Sequence, residues 1–158
     1  MPWTPFHLGP ALMLGLLLFS YLDLPTLLVA SVAPDIEPAI ATALQLSHSR
    51  YGWFHTLEGA AIASVVVGVV MYSAKGYTSK LASMLKLKQN SSFKKILLTS
   101  FLGVYSHILL DMPLHTLYDL RVPNIELTPV GLATYSFCVV SFLVGLVLYK
   151  HRTTHTAS

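Results

Sequence analysis

Apolar residues fall in five runs, at residues 8–22, 24–34, 57–73, 96–112 and 129–149, separated by short polar segments. Within each run the apolar positions cover nearly every helical face, as a helix in lipid or in a packed bundle requires, and the longer runs approach the roughly 20 residues that cross a bilayer. The pattern predicts an all-α integral membrane bundle of four to five hydrophobic helices, forming a single domain over residues 1–158. Asp23 and Pro25 end the first run, and Pro34 and Pro38, flanking Asp35 and Glu37, are expected to interrupt a helix and fix a bend. The 57–73 run is rich in Ala, Gly and Ser, the small residues that let helix backbones approach closely in a membrane. Residues 113–128, with two prolines and three charged side chains, read as an irregular polar connection.

Composition strengthens this picture. Of the 158 residues 54% are hydrophobic and 11% charged, and the mean hydropathy is +0.62, against roughly 25% charged residues in soluble domains. The first 49 residues contain no Lys or Arg, so the basic n-region of a signal peptide is missing and the segment is expected to stay in the mature protein. The one cysteine, Cys138, lies within the last run and excludes both an intramolecular disulfide and a cysteine-based zinc cluster. Net charge is +3, and seven of the ten Lys and Arg lie between Arg50 and Lys95 without the aromatic interleaving that stacks bases. A partner nucleic acid is therefore not expected; membrane lipids are.

Residues 74–95 hold six lysines and no acid, and form a loop or a basic interfacial helix. Placing them and the basic tail after Tyr149 on the cytoplasmic side orients the spans. If residues 8–22 and 24–34 form a hairpin with Asp23 at its cytoplasmic tip, His7, Asp35, His55, His107 and Asp111 all come to the opposite face. His107 and Asp111 are four apart, on one side of a helix, where they can share a metal ion or simply hydrogen-bond each other. An Asp at depth costs roughly 2.5–3.5 kcal/mol on insertion scales, which calls for a partner or a task.

Imidazole and carboxylate together suit first-row divalent ions, zinc above all. A bound ion would lower the pKa of a water toward roughly 7 and polarise a phosphoryl oxygen. Asp35 and Glu37 are candidates to orient that water or act as base, and Arg50 to clamp a phosphate, although an arginine there can equally snorkel to lipid headgroups. Glu58, His48 and His115 are spare groups nearby. His115 follows Asp111 by four, but Pro113 is expected to break the register.

Four blocks, TPFHLG at 4–9, VAPDIEP at 32–38, SRYGWFHTLEGA at 49–60 and SHILLDMPLH at 106–115, resemble the successive motifs of the membrane-bound metal-dependent hydrolase family that includes the LexA-binding, inner-membrane-associated protein YdjM. More distantly they are similar to the all-helical zinc-dependent phospholipase C and P1 nuclease group. The resemblance implies a small helical protein of the cell (inner) membrane with a metal site. In it His7 and Asp35 would share one ion, and His55, His107 and Asp111 would hold another. The later ligands of the phospholipases have no clear counterparts beyond His115 and Asp119. Two functions follow as expectations: hydrolysis of a phosphoester in a lipid or lipid-linked substrate, or a non-enzymatic membrane adaptor or structural protein with a metal-binding polar cluster.

Overall fold

A computed structural model describes residues 4–45 and 52–155, and every regular element among them is helical. A 3-10 turn, Thr4–His7, leads into α1, Leu8–Leu17. The chain reverses through residues 18–23 into α2, Leu24–Ala30, and a 3-10 turn, Ala33–Asp35, joins it to α3, Ile36–Ala43. A second turn, Trp53–His55, precedes α4, Leu57–Ser73, and α5, Lys75–Met84. Helices α6, Phe93–Asp119, and α7, Pro129–His155, complete the bundle.

Three helical segments are long and apolar enough to cross a membrane: Leu24–Ala43, Phe93–Leu117 and Pro129–Thr154. Helices α4 and α5, bent by 72° at their junction, make up to four if the pair is one span. α1 is shorter than the 8–22 run that contains it, because the chain turns at Leu18, whose N–H still bonds the Leu14 carbonyl. At ten residues it measures about 15 Å, half a hydrocarbon core.

The α-helix is interrupted where Pro34 and Pro38 flank Asp35, as expected: α2 ends at Ala30, Pro34 lies in the 3-10 turn, and Pro38 lies in the first turn of α3, where an N–H has no intrahelical acceptor. The third proline departs from expectation. Pro113 does not stop α6, which continues to Asp119, so the first part of the expected 113–128 connection is helix. The helix closes instead with Arg121 in the left-handed region, the Val122 N–H returning to the Leu117 carbonyl.

Packing depends on small residues. Ala30, Ala60, Ala63 and Val104 form one buried cluster joining α2, α4 and α6. On the other side α1 lies against α7 with Gly9 over the Cys138 carbonyl, so near that any Cβ at position 9 would collide with it. The outer face of α7 stays exposed, with Phe137, Val140, Leu143 and Val147 pointing away from the protein, as a lipid-facing surface requires.

The two ends of the bundle are chemically distinct. At one, Asp23 caps α2 by accepting from the Thr26 N–H at 3.0 Å and from its hydroxyl, and accepts from the Ser91 hydroxyl at 2.6 Å. Gln89 clasps the same reversal, donating to the Phe19 and Leu22 carbonyls and accepting from the Leu24 N–H. The segment after α5 is thereby docked on the α1–α2 turn. The opposite end carries the histidines.

Candidate metal centre

Four elements converge at that end. α6 presents His107 and Asp111 from successive turns, the 3-10 turn before α3 supplies Asp35, the turn before α4 supplies His55, and the turn before α1 supplies His7. Asp35, His55, His107 and Asp111 each offer a ligand atom, and these four atoms lie within 4.8 Å of one another. This group could hold a metal ion.

His107 is the hub. Its Nδ1 lies 2.8 Å from the Ser31 carbonyl, an acceptor only, so Nδ1 carries the proton and Nε2 turns its lone pair toward the cluster. Around Nε2 stand His55 Nε2 at 3.3 Å, Asp35 Oδ1 at 3.5 Å and Asp111 Oδ2 at 3.7 Å. Asp35 Oδ1 is also 3.8 Å from His55 Nε2. Ligands bound at about 2.0–2.1 Å in a tetrahedron lie about 3.3–3.4 Å apart, so these separations match atoms sharing one small cation better than a chain of hydrogen bonds.

Burial makes the same point energetically. Asp111 is 0% exposed, and neither of its oxygens has a hydrogen bond of normal geometry. Imidazoles surround it instead: His7 Nε2 is 3.2 Å from Oδ1, and His115 Nε2 is 3.5 Å from Oδ2. A buried carboxylate costs several kcal/mol, roughly, unless donors or a positive charge replace water, and among the described residues only imidazoles stand close enough to do so for Asp111. His7 is buried too, its Nε2 facing Asp111 and its ring 4.0 Å from that of His107. Burial, followed by the neighbouring His107, holds the His55 imidazole down to about 4, with Asp35 opposing the shift. At neutral pH the His55 imidazole is therefore uncharged, the form in which it could bind a metal ion.

All five residues singled out as metal ligands in the sequence share this one region. Asp35 stands with His55 and His107, while His7 stands against Asp111. Glu37 is placed elsewhere: its carboxylate accepts from the Phe54 N–H at 2.8 Å and fills the space beside Gly52, where a side chain would displace it. It thereby pins the turn that carries His55. Glu58 is exposed in the first turn of α4. Arg50 and His48 lie outside the described residues.

Two participants escaped the sequence. The Ser31 carbonyl carries no side-chain signal at all. His115 does: it repeats the 107–111 spacing, and because α6 runs through Pro113 it stays in register beneath Asp111, correcting the expectation that the proline displaces it. Its side chain, 19% exposed, is the wettest of the cluster.

Comparison with known proteins leaves the geometry to speak for itself: no family model matches the chain, and no curated protein or solved structure is significantly similar to it.

Proposed function

We propose that this chain is a metal-dependent hydrolase of the cell inner membrane, of the kind its four sequence blocks resemble, cleaving a phosphoester in a lipid or lipid-linked substrate. The observation that carries the reading is the set of Asp35, His55, His107 and Asp111, with ligand atoms within 4.8 Å of one another and an Asp111 carboxylate met, among the described residues, by imidazoles alone. A divalent ion, zinc by the chemistry of its imidazole and carboxylate ligands, would supply an acidified water and a Lewis acid for the phosphoryl oxygen.

The chain's own groups account for the rest. His55, His107 and Asp111 would hold the ion, His7 would support Asp111 from its other oxygen, and the Ser31 carbonyl fixes the His107 tautomer. Asp35 is the group to orient the attacking water and take its proton; the bond from phosphorus to the leaving alcohol then breaks and the proton passes to the departing oxygen. Arg50, five residues before His55 in sequence, suits the non-bridging phosphate oxygens. A lipid substrate is favoured because Asp35, His107 and Asp111 of the cluster lie in helical segments long and apolar enough to cross a membrane.

The test is hydrolysis by the protein reconstituted into vesicles of phosphatidylglycerol or phosphatidic acid, following release of water-soluble phosphorylated product or phosphate with zinc or manganese added. Metal-dependent turnover, lost at least 100-fold in His107→Ala while membrane insertion persists, is expected. Turnover unchanged in that variant, or no turnover by metal-loaded wild type on either lipid, overturns the reading and favours the non-enzymatic adaptor.

A further inference from the structure

The end of the bundle away from the histidines carries a feature that hydrolysis does not use. α5 leaves α4 at 72° and ends with Lys86 in the left-handed region. The Leu87 N–H bonds the Ala82 carbonyl and the Lys86 N–H the Ser83 carbonyl, a Schellman closure that folds buried Leu87 back against buried Ala82. Between this helix and the bundle lies a cleft of about 280 Å³ walled by Leu28 and Val29 of α2, Met71 of α4, and Leu81 and Leu85 beside α5, with Thr78 as its one hydroxyl. The lips are apolar as well: Tyr77, Leu81 and Met84 are 84%, 62% and 74% exposed.

The segment that forms one wall of this apolar slot is basic. Residues 74–95 contain Lys75, Lys80, Lys86, Lys88, Lys94 and Lys95 and no acid. Lys95 donates to the Phe19 and Ser20 carbonyls. The other five lysine side chains make no ion pair or hydrogen bond with a described residue, and the nearby carboxylate of Asp23 is already occupied by Thr26 and Ser91. An apolar cleft walled in part by α5, with lysines on that helix and the segment after it that have no ion-pair partner among the described residues, has the chemistry of an interfacial lipid site. A nucleic acid would meet the lysines but leave the cleft empty; a zwitterionic lipid would fill the cleft but not neutralise the lysines.

We propose that the cleft between α2, α4 and α5 binds an anionic glycerophospholipid, one acyl chain lying against Leu28, Val29 and Met71 and the phosphate among the lysines of α5 and the segment after it. The site is separate from the metal centre: Lys95 and His107 are twelve residues apart on α6, about 18 Å. It stands whether or not the chain is a hydrolase.

The test is native mass spectrometry of the full chain in detergent, titrated with dioleoylphosphatidylglycerol and dioleoylphosphatidylcholine. One tightly held phosphatidylglycerol is expected, preferred at least tenfold over phosphatidylcholine of the same chains. Lys80→Gln, Lys86→Asn and Lys88→Gln together, all at exposed positions, should abolish the preference. Val29→Trp, which fills the cleft and leaves the charge intact, should weaken phosphatidylglycerol at least fivefold. Equal binding of the two lipids by wild type overturns the proposal, as does a preference that survives the lysine variant. Should Val29→Trp not fold, brominated-chain phosphatidylglycerol takes its place. It should quench a Leu81→Trp fluorophore more than brominated phosphatidylcholine at equal mole fraction, and equal quenching refutes the cleft.

Discussion

Asp23 and Asp111 are both buried carboxylates, at opposite ends of the same helices, and their surroundings differ in kind. Asp23 receives two hydroxyls and a backbone N–H, and its own N–H is 3.1 Å from the Thr99 hydroxyl oxygen. Asp111 receives no such bond and is ringed by the imidazoles of His7, His107 and His115. The first acid is satisfied by the fold and holds the α1–α2 turn to the segment after α5. The second is left for a cation to satisfy. A buried charge held by hydroxyls and a backbone N–H points to architecture; one set among several imidazoles and a second carboxylate points to a candidate site.

The sharpest way to break this contrast is to neutralise each acid in turn. Asp23→Ala removes a helix cap, about 1 kcal/mol, and strands the buried Ser91 hydroxyl, about 1–3 kcal/mol more, so a marked loss of stability is expected in denaturant unfolding in detergent. Asp111→Asn changes a carboxylate whose neighbours are imidazoles rather than a helix cap and a buried hydroxyl, so it should cost the metal-free protein less than Asp23→Ala does. Equal destabilisation by the two would erase the distinction.

Metal should separate the ends next. Zinc at 100 times its dissociation constant is expected to stabilise wild type by about 2.7 kcal/mol and Asp111→Asn hardly at all, whereas an Asp23→Asn protein that still folds should keep the full increment. Thermal unfolding with and without zinc reads this directly.

A smaller effect follows from pH. Folding holds the His55 pKa at about 4, below its ordinary 6.5, so between those values the unfolded chain binds more protons and stability falls as pH falls. Metal-free wild type should lose stability on acidification across that window, and His55→Gln should flatten the slope. The smallest effect expected is at Glu37. Replacing it with Ala frees the turn carrying His55 without touching the cluster, so zinc affinity should drop about tenfold in a competition titration, while Glu37→Gln, which keeps an acceptor oxygen, should retain most of it.

Much of the site was legible before any coordinates. The 107–111 spacing declares one helical face, and lysine placement brings His7, Asp35 and His55 to the same end as that pair, because charge bias fixes which way each apolar run points. The pairing inside the site was not legible. Ser31 acts through its carbonyl, which has no sequence signature, and Glu37 through a backbone N–H seventeen residues away. Pro113 misled because a proline does not always end a helix: α6 runs on through it to Asp119, although the proline sits at an exposed position and has no N–H to give to the ladder. The Asp23 end shows the same asymmetry. Asp23 with Thr26 has cap spacing, but Gln89 and Ser91 reach the turn from more than sixty residues away, and no periodicity records that.

The central claim, that the unsatisfied Asp111 end is built for a divalent ion, is tested most directly by calorimetric titration of zinc into metal-stripped, detergent-purified protein, wild type beside a His107→Ala, Asp111→Ala double variant. The account predicts stoichiometric binding by the wild type that the correctly folded double variant loses. Absence of stoichiometric zinc binding by folded wild type, or binding retained undiminished by the double variant, would contradict it.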